Sequence, residues 1–205
     1  MATYTFVHFE HEEAAALAGL QSIHYDLWSA IQLCEYFESQ CQNGYPPSEI
    51  TDAFSTAILV RYSRAFVSGV RKGLGEDAMA SLSVGQRANH ERLRAFRDKH
   101  IAHSVNAFED TKVQARYCEE RVQQEGITAV SAAHYRVVGL SSRDVCDVME
   151  LCKALLVYVD AKIEEEKKRL LSILRSMPIA DVLSRAASPL LVADHSKIGR
   201  RRARP

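Results

Sequence analysis

The chain has no uncharged apolar run approaching the roughly 18 residues that a helical bilayer span requires. Residues Met1 to Glu10 also lack a basic stretch followed by an apolar core. These absences exclude a spanning helix and argue against an export signal, so a soluble, cytoplasmic protein with no membrane partner is expected. Cysteine pairing is missing too. The five cysteines, Cys34, Cys41, Cys118, Cys146 and Cys152, are odd in number and contain no Cys-x-x-Cys pair, which argues against a disulfide framework and a zinc ribbon alike. They read as buried thiols in a reducing compartment. Finally, 26 basic residues balance 26 acidic ones, so the formal net charge is zero and no global field recruits nucleic acid. Any RNA contact must come from local clusters. No internal repeat or extended low-complexity block is evident.

What the chain does have is helical periodicity. Its 205 residues suit one domain with an appendage, long enough to bury about two-thirds of the surface the unfolded chain exposes. From about Glu10 to Gln42, Leu17, Leu20, His24, Leu27, Ile31 and Cys34 recur at spacings of three and four, with Trp28 widening the stripe, the pattern of an amphipathic helix. Asn43 to Pro47 ends it. Ser48 reads as the N-cap of a second helix running to about Val70, with Glu49 favoured in its first turn by the helix dipole and Gly69, Gly73 and Gly75 marking its exit. Ser83-x-x-Gln86 has the form of a capping box and opens a third helix through Leu93, Phe96, Ile101 and Ala102, closing near Val105-Asn106.

In residues 111–140, Val113, Ala115 and Tyr117 alternate with Lys112, Gln114 and Arg116, and Tyr135 and Val137 alternate with His134 and Arg136, which suggests two strands. Cys118 to Gln124 consists instead of good helix formers. A β-hairpin inserted at about residues 107–140 is the favoured reading. Ser141 to Asp144 then caps a long last helix with Val145, Val148, Cys152, Leu155, Leu156, Val159 and Ile163 on its apolar stripe. Glu164 to Arg169 places acids before bases at helical spacing, a solvated face with weak pairs. The expected fold is therefore all-α: a four-helix up-and-down bundle over residues 1–178, with a β-hairpin between the third and last long helices. Residues 179–205 are expected to form a flexible basic tail that includes Lys197, Arg200, Arg201, Arg202 and Arg204.

The stretch Arg97-Asp98-Lys99-His100-Ile101-Ala102-His103-Ser104 carries the chemistry. A fixed cation and a titratable imidazole stand six positions apart beside a polar residue. Arg97, Asp98 and His103 resemble, in order and spacing, the signature of the HEPN superfamily, an Arg followed by a polar residue, a short spacer and a His within a small helical bundle. The resemblance covers about Ser48 to Asn106 and includes Arg61-Tyr62-Ser63-Arg64-Ala65-Phe66 on the preceding helix. It implies a metal-independent ribonuclease, of the kind found in toxin-antitoxin or phage-defence systems, working as a homodimer whose paired signatures form one cleft. An antitoxin or another defence protein is a possible partner under that resemblance, and some HEPN domains are noncatalytic binding modules.

RNA supplies its own nucleophile, the 2′-hydroxyl. Scission needs a proton taken from it, a proton given to the leaving 5′-oxygen, and stabilisation of the phosphorane. Histidine titrates near neutrality and suits the proton transfers. Arginine stays charged and offers a planar fork of donors to phosphate oxygens. His103 is thus the expected general acid or base, Arg97 the electrostatic clamp, and Asp98 the residue that orients one of them; the plainer alternative for Arg97 is a surface cation paired with Glu91 or Asp98. Six residues of regular helix put Arg97 and His103 about 120° apart and about 9 Å along the axis, so a second copy of the site facing the first would ease convergence.

Other residues carry weaker signals. His100 and His103 form an i, i+3 pair, but no carboxylate or thiolate supports a metal there, so no metal or cofactor is expected and His100 is kept as a phosphate-binding candidate. His8, His11, Glu12 and Glu13 cluster without the His-Glu-x-x-His order of a zinc protease and read as a polar turn. Arg61 and Arg64 interrupt the apolar segment Ala57 to Val70. They either pair with acids such as Glu12, Asp26 or Asp52, since buried charges need partners, or line the cleft and bind RNA phosphates. Tyr62, Phe66 and His24 read as core.

Overall fold

A computed structural model of the chain describes residues 12–42, 44, 46–69, 71–98, 109–136 and 139–184. Seven α-helices and one two-stranded antiparallel sheet are found among them. Helix α1 spans Ala15–Cys41 after a short 3-10 turn at Glu12–Ala14, α2 spans Ser48–Arg64, α3 Glu76–Ala80 and α4 Val84–Phe96. Strand β1, Glu109–Tyr117, and strand β2, Ile127–Arg136, enclose a 3-10 turn at Glu119–Arg121 and the one-turn α5, Val122–Glu125. Helix α6, Ser142–Ser176, is followed by α7, Ile179–Ser184. The first residues of the expected tail are thus helical.

One core holds the long helices together. α1 packs most extensively on α6 and next on α2, while α4 lies against α6 and touches α2. Ile23, Leu27, Ala30, Cys34 and Phe37 from α1 meet Ile58, Leu59 and Tyr62 from α2, Leu93 from α4, and Val145, Val148, Leu151, Cys152, Leu155 and Val159 from α6. Each such aliphatic side chain contributes about 1.5–3 kcal/mol by leaving water. The stripe expected on α6 is buried apart from half-buried Leu156, whereas on α1 Leu17, Leu20 and His24 are only half-buried and Trp28 is exposed. Trp28 therefore does not widen the buried face. Nor are all thiols interior: Cys34 and Cys152 are buried, but Cys146 is exposed. Burial pushes the Cys34 thiol up to about 12 and that of Cys152 well above its ordinary value.

Local signals set several helix ends. Ser83 accepts from the Gln86 N–H while the Gln86 side chain accepts from the Ser83 N–H, and Ser141 and Asp144 repeat the arrangement at the start of α6. Burial alone would raise the Asp144 carboxyl, but hydrogen bonds from Ser141 and Arg92 outweigh it and hold it below its ordinary value. Ser48, expected as a cap, is instead the first helical residue, and Pro47 stands in the N-cap position. α2 also stops at Arg64, short of Val70. The chain there folds back: Leu74 N–H donates to the Ala65 carbonyl at 2.8 Å, and a Cβ on Gly73 would fall 2.5 Å from the Phe66 backbone. Glycine at 73 is what permits this close return.

The hairpin was legible as two strands, and the helix formers between them make the short helical link. Val113 pairs with Ala132 and Ala115 with Val130, with a register shift at Arg116/Tyr117. Every side chain from Asp110 to Tyr117 is exposed, so the ribbon's apolar residues face water on β1. The chain leaves it through Gly139, at φ 80°, where a Cβ would stand 2.6 Å from Thr51 Cγ2. Leu140 N–H then donates to Ser55 Oγ at 2.7 Å. The expected closure of the third helix at Val105-Asn106, residue Val137, and the Lys197–Pro205 tail lie outside the described residues.

On the inner face of α4, His90 is buried, its Nδ1 2.7 Å from the hydroxyl of fully buried Tyr62 and its ring edge-on to Phe66. The tautomer that satisfies its neighbours carries its proton on Nε2, 3.9 Å from Glu91, and accepts the Tyr62 hydroxyl proton at Nδ1. Burial lowers the His90 pKa from 6.5, Glu91 pulling it partly back and Arg94 lowering it further. Since the unfolded chain then binds the proton more tightly, this residue's contribution is complete above 6.5 and shrinks as the pH falls below it. Thermal unfolding measured from pH 7.5 to 5.5 is expected to show a falling midpoint, and His90→Gln to flatten that slope.

Candidate functional site

Arg97 and Asp98 continue α4 with the wider winding of a π-turn, a feature frequent at functional sites. Consecutive residues on a helix point about 100° apart, so the long Arg97 side chain must bend to reach its neighbour. It does: Nη1 donates to Asp98 Oδ1 at 2.8 Å. Arg97 Nε is buried with no hydrogen-bond partner among the described residues. α4 itself is pinned to the start of α6 by Arg92, which bonds Asp144 and, at 2.9 Å, the buried Asp147. Arg143 adds a second cation to Asp147 at 3.2 Å. His100 and His103 lie outside the described residues, so the structure places the first two residues of the expected centre and not the imidazoles.

Arg61 and Arg64 stand elsewhere. One turn apart at the end of α2, they converge on Asp26 of α1, and Arg71 joins them from the segment that folds back after Phe66. Arg61 Nη1 lies 3.2 Å from Oδ1, while Arg71 Nη2 at 2.5 Å and Arg64 Nε at 3.4 Å share Oδ2. Arg71 also donates to the Arg64 carbonyl at 3.0 Å, which ties the returning segment to the helix end. Of the partners open to Arg61 and Arg64 in the sequence, the structure selects Asp26. No described interaction joins this cluster to Arg97 or Asp98.

The cluster lies against a groove of about 790 Å³, lined by Gly19, Ser22 and Tyr25 of α1 together with the three arginines. Arg71 passes beside Gly19, its Cβ 3.6 Å from where a Cβ at 19 would stand, an ordinary van der Waals contact. Arg71 and Tyr25 escaped sequence reasoning. The available signal was Asp26 itself, three residues after Ile23 and adjacent to Leu27 on the buried face of α1, where a carboxylate needs cations. His24 is half-buried, its Nε2 3.4 Å from Asp160, and Glu13 pairs with Arg169 at 2.9 Å. Among the described residues, no group of three or more His, Cys, Asp or Glu could hold a metal ion, and no helix is long and apolar enough to cross a membrane.

Compared with family models, curated proteins and solved structures, the chain matches none.

Removing one partner of a buried ion pair typically costs about 3–5 kcal/mol. Because the three guanidiniums keep access to solvent, Asp26→Asn is expected to lose less, about 2–3 kcal/mol by urea unfolding. Arg64→Gln, at the exposed end of the cluster, is expected to lose under about 1 kcal/mol.

Proposed function

We propose that the chain is a metal-independent endoribonuclease of HEPN type, acting as a toxin or phage-defence effector. The observation that carries this reading is the Arg97–Asp98 pair at the end of α4, the point where the string Arg97 to Ser104 begins. In this reading α1, α2, α4 and α6 are the four long helices of an up-and-down bundle. Asp98 fixes the Arg97 guanidinium, Arg97 neutralises the phosphorane, and His103 takes or gives the proton. The 2′-oxygen attacks phosphorus, the bond to the 5′-oxygen breaks, and the leaving oxygen is protonated, giving a 2′,3′-cyclic phosphate. Two chains pair so that the signatures share one cleft, which removes the angular mismatch between positions 97 and 103 of a single regular helix.

A second reading, a noncatalytic dimeric module that binds a nucleotide, RNA or a partner protein, is favoured by the same pair. An arginine already neutralised by its own neighbour is a weaker clamp for a developing anion.

Incubation of RNA with purified protein in EDTA separates the two. Cleavage that persists in chelator and drops about 100-fold or more in Arg97→Ala and His103→Ala supports the nuclease. RNA left intact by wild type at high protein concentration supports the module. Under the nuclease reading, growth arrest on expression is expected to be relieved by both substitutions, and sedimentation equilibrium to give twice the chain mass.

A further inference from the structure

Three guanidiniums around one carboxylate leave charge over. Among the described residues that line the groove, Asp26 is the only acid against Arg61, Arg64 and Arg71, a surplus of two positive charges among them. The arrangement is also layered. The Asp26 side chain is 2% exposed, whereas those of Arg61, Arg64 and Arg71 keep 36%, 55% and 20%. The acid sits behind and the cations in front, towards the groove. A lone structural ion pair needs one cation. The additional ones repel each other, and an anion entering from solvent would relieve that repulsion at little desolvation cost.

Chemistry narrows the anion. A guanidinium offers five N–H donors in a planar fork that matches phosphate oxygens. Arg61 engages Asp26 through Nη1 and Arg64 through Nε, which leaves most of both forks for a ligand. Arg71 is the tethered and least exposed member, its Nη2 holding both Asp26 and the Arg64 carbonyl. On the groove wall Tyr25 is 55% exposed, its ring 5.9 Å from that of Trp28, which is also exposed. A cationic floor with an aromatic face beside it is the pairing by which proteins hold a phosphate and stack the attached base. The groove volume of about 790 Å³ falls in the usual range for small-molecule sites.

We propose that this groove is a nucleotide-binding site, separate from the Arg97 centre, in which Arg61 and Arg64 hold a phosphate and Tyr25 stacks the base. Asp26 and Arg71 are positioning residues that aim the two forks outward. The phosphate belongs to an RNA strand or to a free nucleotide; the recognition chemistry is the same. The site does not depend on whether the chain cuts RNA.

The test uses the full chain and a labelled single-stranded 2′-O-methyl RNA octamer, which lacks the nucleophile for scission, so binding is read independently of cleavage. Fluorescence anisotropy is expected to show Arg64→Gln weakening the octamer about tenfold and reducing the salt slope by about one. Tyr25→Ala is expected to weaken it at least about fivefold, and Arg64→Lys to recover part of the loss. Both residues are exposed, and melting curves verify that the variants fold. Competition by a nucleoside 5′-monophosphate assigns the phosphate to a free nucleotide, and binding confined to the octamer assigns it to a strand; either supports the site. Wild-type-like affinity in both Arg64→Gln and Tyr25→Ala overturns it, as does failure of wild type to bind either ligand. Inorganic phosphate displacing the octamer as well as the nucleotide does would overturn the base-stacking half, and with it the assignment to nucleotides.

Discussion

A carboxylate on the inner face of a helix cannot remain charged without cations, and Asp26 organises one side of the molecule around that requirement. It draws together three parts of the chain: the first half of α1, the last turn of α2 and the segment that turns back after Phe66. The Arg71 bond to the Arg64 carbonyl completes the closure.

The other charged junction follows the same logic with different geometry. Asp147, also on a buried face, is met by Arg92 from α4 and Arg143 from its own helix. Arg92 simultaneously reaches Asp144, the residue that caps α6. The cap of one helix and the lateral position of another are thus coupled through one side chain. α4, which carries Arg97 at its end, is located by that coupling together with the burial of Leu93 and His90.

What could be read from the sequence was what is local. The two capping boxes, the apolar stripe of α6 and the alternation in β1 depend on neighbours a few residues away, and each appears where expected. Much of what the sequence did not show depends on distant parts of the chain. α2 ends at Arg64 because Gly73 comes back against Phe66, which helix periodicity cannot report. Trp28 is apolar, yet its position on α1 faces outward, so hydrophobicity outranked angle in the sequence reading. In the sequence Arg61 and Arg64 call for partners, with Asp26 among the acids on offer. Arg71 could not be found because it acquires its role only through the fold-back. The expected Arg-His centre is a reading of the motif alone: Arg97 and Asp98 stand at the end of α4, paired with each other, and His103 lies outside the described residues.

The ribbon of β1 and β2 has a consequence for how the chain can change. A two-stranded hairpin gains little from its own pairing in water, and β1 lends none of its side chains from Asp110 to Tyr117 to the interior. Its exit, by contrast, is fastened where Gly139 and Leu140 press against Thr51 and Ser55. Shortening the ribbon beyond that fastening would therefore remove little that the helices rest on, and their mutual packing would stay in place.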